Sequence, residues 1–170
     1  MKKILTLLLI ITALTASSQT DKSKRPSPPG IVIQTLENGT TITIDYSRPS
    51  VKGRTIGEEL DPYPGKVWRT GANEATVFET DKDINVQGQP LPAGKYGLYT
   101  IANGEEWTII FNKTWKQWGT QYNEANDFLR VSAKAGKAAE FSEQLTFTIS
   151  KDGKISLLWG DIDVSFIAEK

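Results

Sequence analysis

From Ile31 onward, apolar side chains recur mostly at every second position, and β-branched and aromatic types dominate among them. Ile42, Ile44 and Tyr46 alternate with Thr41, Thr43 and Asp45; Trp107, Ile109 and Phe111 alternate with Thr108, Ile110 and Asn112; Leu145, Phe147 and Ile149 alternate with Thr146 and Thr148. A period of two sends one set of side chains to a core and the other to water, which is the pattern of a strand. Further strands are predicted over 31–36, 75–80, 84–87, 95–102, 128–134, 154–159 and 162–168. Asn38-Gly39, Asn103-Gly104 and Asp152-Gly153 fall between alternations and predict hairpin turns with positive φ at both central positions. The link from Gln87 to Gly94 holds two prolines and two glycines and is expected to lack regular structure. Short helices are expected over 113–122 and 133–141. Together these elements predict an all-β domain, an antiparallel β-sandwich of jelly-roll type with roughly ten short strands and one or two short helices.

The first residues follow a different pattern. Lys2 and Lys3 precede an apolar run from Ile4 to Leu14, and the small polar stretch from Thr15 to Gln19 follows. Basic, apolar and small residues in that order make a secretory signal peptide over Met1–Ser18, too short to span a bilayer, which takes about 20 residues. The expected mature chain starts at Gln19 and is exported, to the periplasm or beyond the cell, with no stable membrane insertion after cleavage. Residues 19–30 contain three prolines and few apolar side chains, so a flexible leader is expected before one domain spanning 31–170.

Composition narrows the chemistry. The 170 residues include 20 Lys plus Arg and 20 Asp plus Glu. That balance lacks the basic excess with which nucleic-acid-binding proteins neutralise phosphates. Cleavage after Ser18 would remove Lys2 and Lys3 and no acid, leaving 18 basic against 20 acidic residues. Histidine and cysteine are both absent. Their absence removes Ser-His-Asp and Cys-His catalysis, His- or thiolate-ligated metals and disulfides. No metal site and no cofactor is predicted.

One segment, Tyr46 to Ala75, interrupts the alternation. A loop of that length inside a compact domain is uncommon and often functional. It carries Arg48, Lys52, Arg54, Lys66 and Arg69 with Trp68, Asn73 and Glu74. Guanidinium groups offer planar forks of donors and an indole offers a stacking face, so the cluster suits a carboxylate, a phosphate or a sugar. The same residues also fit a structural account, with the arginines paired to Glu58, Glu59, Asp61 or Glu74 and Trp68 in the core.

Other motifs carry less. Gly65-Lys66 lacks the earlier glycine and the following Ser or Thr of a phosphate loop. Asp81-Lys82-Asp83 opens like a calcium loop, but Val86 and Pro92 stand where the turn glycine and the bidentate glutamate belong. Asp161 and Asp163 would project from one side of a strand as solvated carboxylates. Trp115 and Trp118 would be neighbours on a helix, either packed onto the sheet or presented as a platform for a sugar ring.

Four stretches, Ser47–Arg54, Gly65–Thr76, Leu91–Tyr96 and Trp107–Lys113 with Gln117–Gly119, closely resemble the family called domain of unknown function 2911. The resemblance runs from about Gly30 to Glu169. It implies a small exported bacterial protein and carries over no catalytic residue.

The leading functional expectation is a non-catalytic module that binds a small polar or anionic ligand through the Arg48 to Glu74 segment. With histidine and cysteine absent, a carboxylate-based glycan hydrolase or lyase is the enzymatic alternative. An envelope structural or assembly component is the third reading.

Overall fold

A computed structural model describes residues 21–169; the predicted signal peptide, Met1–Ser18, lies outside them. The described chain is all-β and antiparallel. Its strands are β1 (Pro29–Thr35), β2 (Thr41–Ser47), β3 (Val67–Trp68), β4 (Thr76–Thr80), β5 (Ile84–Val86), β6 (Gln89–Leu91), β7 (Gly94–Asn103), β8 (Glu106–Asn112), β9 (Asp127–Ile149) and β10 (Lys154–Glu169). They join in the order β1-β2-β4-β7-β8-β9-β10-β5-β6, with β3 paired to β7, as one sheet that is not closed. Two separate sheets of a jelly-roll sandwich were expected; here a single path runs through nine strands, and β3 joins the same sheet as a branch on β7.

The path becomes continuous because β9 is long enough to change partners. Its first third pairs with β8 (Trp107 opposite Ala133) and the rest with β10 (Phe147 opposite Leu157). Register shifts flank Gly160, at φ +60°, and let β10 bend between its two halves. The helix expected over 133–141 is therefore strand. Residues 133–137 have ladder partners on β8 and β10, and pairing outweighs the modest helical preference of the alanines. No helix forms over 113–122 either, because that stretch pairs through backbone with the end of the long excursion. Ala75 N–H donates to Gln117 O at 3.1 Å and Gly119 N–H to Asn73 O at 3.0 Å. Among the described residues the only helical turns are two 3-10 turns, Lys22–Lys24 and Glu124–Asn126. The link after Gln87 is less irregular than expected, since Gln89–Leu91 pairs with β5. Pro90 is tolerated there because β6 ends the sheet and needs no donor on its free side.

The turns use Gly39, Gly104 and Gly153 at positive φ, whereas Asn38, Asn103 and Asp152 keep negative φ. Gly39 N–H donates to Leu36 O, and Leu36 N–H to Thr40 O. That is a three-residue turn closed by a left-handed glycine, in place of the doubly positive turn expected.

The sheet curls so that its inner face meets itself. Ile44 of β2, Phe78 of β4, Phe111 of β8, Phe147 of β9 and Phe166 of β10 share one core. Tyr46 and Phe147, on strands distant along the path, touch edge to face at 4.9 Å, and Tyr46 Oη accepts from Phe147 N–H. A smaller cluster of Ala75, Tyr99 and Ile110, with Tyr122 against it, lies on the outer face under residues 113–122.

Candidate functional site

The eight residues suspected from sequence separate into three groups. The first group holds two structural side chains, Trp68 and Arg48, and one exposed one, Lys66. Trp68 is 2% exposed and belongs to the core, with its indole N–H donating to Gly71 O at 3.1 Å. Arg48 crosses to β9, where Nε reaches Leu145 O and Nη2 reaches Thr146 Oγ1. Its stem lies against Gly30, where a Cβ would sit 2.7 Å from Arg48 Cδ. Lys66 is exposed in the turn before β3 and takes no part in the cavities that Lys52, Arg69 and Glu74 line.

The second group holds the N-terminal segment against the sheet. Asn73 Nδ2 donates to Ser27 O and Ser47 Oγ. Glu74 accepts from Arg25 Nη1 on both oxygens, at 3.0 and 2.8 Å, and meets Lys22 Nζ at 3.1 Å. Burial alone would raise the Glu74 carboxyl. Its own backbone N–H, Arg25 and Lys22 outweigh that and bring it down to about 2. A carboxylate held there stays ionised near neutral pH and does not act as a general acid. Residues 21–28, marked by sequence as a leader, are thus hydrogen-bonded at Arg25, Ser27 and Pro28, the last accepting from Arg48 N–H.

The third group shares a cavity. Lys52, Arg54 and Arg69 line a pocket of about 280 Å³, with Asp61 as its acid and the indoles of Trp68 and Trp159 in its walls. Arg54 spends Nε on Val51 O and Nη2 on Ser50 O, shaping its own loop. Arg69 is different. Its Nε is buried and without a hydrogen-bond partner, and among the described residues it forms no ion pair. Burial raises the Asp61 carboxyl and the Arg69 charge opposes that rise, so the two feel each other without contact.

Backbone strain fixes the place of Arg69. Thr70 adopts φ +52°, unfavourable for a β-branched side chain. Three hydrogen bonds hold it there. Its hydroxyl bonds Trp68 O at 3.3 Å and pairs with the Thr100 hydroxyl at 3.1 Å, and its carbonyl accepts from Thr76 Oγ1. On the other side, the Arg69 stem packs onto Gly119, where a Cβ would overlap Arg69 Cδ and crowd Asn73 O at 2.9 Å. Beyond Arg69 a second space of about 280 Å³ continues to Tyr99 and Tyr122. Arg69, Trp68 and Asp61 stand in the partition between the two.

Sequence reasoning missed Trp159, whose indole donates to Asp61 O at 2.8 Å, because 98 positions separate it from Asp61. It also missed the polar knot behind Arg69. Tyr122 Oη donates to Asp127 Oδ2 at 2.6 Å, and Arg130 contacts both. Burial first, and then this bond, push the Tyr122 phenol up to about 12. No group of three or more acidic residues that could hold a metal occurs among the described residues.

Residues 27–167 match a family model described as "Protein of unknown function (DUF2911)". No curated protein and no solved structure matches the chain.

Proposed function

We propose that this chain, which belongs to the DUF2911 family, is a non-catalytic binding module. It holds a small anion, a carboxylate or a phosphate ester, between Lys52, Arg54 and Arg69. The observation that carries this reading is the buried, unpartnered Nε of Arg69 in the wall of that cavity. A buried donor left unsatisfied costs about 1–3 kcal/mol, and an anion accepting from Arg69 removes that penalty. Three cations against one acid set the sign of the preferred ligand, while Trp68 and Trp159 exclude water and strengthen each polar contact. The basic, apolar and small residues of Met1–Ser18 support export, so the ligand is one met outside the cytosol.

Thermal unfolding with inorganic phosphate, succinate or citrate, against chloride at equal ionic strength, tests the reading. One of the three anions is expected to raise Tm by about 2–4 °C per kcal/mol of linkage. The rise should vanish in Arg69→Gln and persist in Lys66→Gln, whose side chain lies outside the cavity. An equal rise in Arg69→Gln, or none in the wild type, overturns the reading.

A further inference from the structure

We propose that a second cavity, under the N-terminal segment on the outer face of the sheet, binds a neutral sugar residue. It shares only Ser27 with the Arg69 cavity and has a volume of about 440 Å³, within the roughly 300–1,000 Å³ range of small-molecule sites. Residues 22–29 form one wall, Asp45 of β2 and Val77 of β4 form the floor, and the loop carrying Trp115 stands opposite.

The chemistry of the walls selects the ligand. Glu74, Arg25 and Lys22 are committed to one another. Asp45 is not: among the described residues its carboxylate accepts no hydrogen bond, and Lys22, Glu74 and Lys95 are the charges near it. An anion would meet Asp45, and a cation would meet Lys22, Arg25 and Lys116, so neither sign of charge is favoured. A neutral polyol fits both, because each hydroxyl donates to a carboxylate and accepts from an ammonium. Trp115 supplies what a sugar needs beyond hydrogen bonds, an aromatic face for its C–H side. That indole is braced. Lys95 Nζ lies 5.3 Å from its centroid and is itself held by Glu79 at 3.1 Å.

The test titrates the mature chain with maltotriose, cellotriose, xylotriose and chitotriose, read by tryptophan fluorescence and by calorimetry. At least one should bind with a stoichiometry of one. Trp115→Ala and Asp45→Asn should each weaken it about tenfold or more, and Trp115→Phe should retain part of the affinity. Asp45 is exposed, so Asp45→Asn reports on binding even if Trp115→Ala unfolds. Arg69→Gln should leave sugar affinity unchanged, which separates failure here from failure of the anion site. Absence of binding by all four at millimolar concentration overturns the proposal, as does affinity indifferent to Asp45→Asn and Trp115→Phe.

Discussion

At the scale of single residues, Gly119 and Arg69 form a matched pair. The glycine is where the arginine stem needs room, so Gly119→Ala must displace either Arg69 or the Asn73 carbonyl. Overpacking of that kind costs about 1–3 kcal/mol. Chemical denaturation should show the loss, and the anion-dependent rise in Tm should shrink with it because Arg69 moves. The arginine-rich excursion could be singled out from sequence by composition and by its break in alternation. The sequence did not show which arginine lacks a partner. Arg48 and Arg54 are occupied by carbonyls and a hydroxyl on β9 and in their own loop, and those partners are decided by folding rather than by neighbours in the chain.

At the scale of elements, the N-terminal segment is tied down by an ion pair whose strength depends on pH. The folded Glu74 carboxyl, at about 2, lies below its ordinary 4.5. A depressed carboxyl contributes stability that is fully present above about 4.5 and lost as pH falls toward about 2. The Tm difference between wild type and Glu74→Gln should therefore be constant near neutral pH and narrow across that acidic window. A gap that stays level through it would mean that Arg25 and Lys22 do not stabilise the fold through Glu74. Strand β1 invites a different test. It stands at one end of the sheet, with Ile31 and Ile33 62% and 60% exposed, and exposed apolar edges favour association between chains. Ile33→Lys should lower light scattering at high concentration while shifting stability by no more than about 0.5 kcal/mol. A lysine variant that scatters as much as wild type removes β1 from any assembly role.

At the scale of the whole molecule, Phe111 is where the curled sheet meets itself. It is fully buried and packs edge to face on Phe78 at 5.1 Å, Tyr96 at 6.2 Å and Phe166 at 6.4 Å. Phe111→Ala should cost about 3–5 kcal/mol, measured by urea denaturation. A loss near 1 kcal/mol would show that the two halves of the sheet are held elsewhere. The alternation of Ile42, Ile44 and Tyr46, or of Trp107, Ile109 and Phe111, was enough to place most strands and much of the core, because the pleat makes every second side chain face one way whatever lies opposite. The absence of histidine and cysteine likewise settled from sequence which chemistries have no residues to perform them. Strand order, the bend at Gly160, the conversion of residues 133–141 from expected helix to strand and the meeting of Arg69, Asp61 and Trp159 were decided only in three dimensions. Each rests on partners far apart along the chain, and periodicity carries no information about which strand will lie beside which.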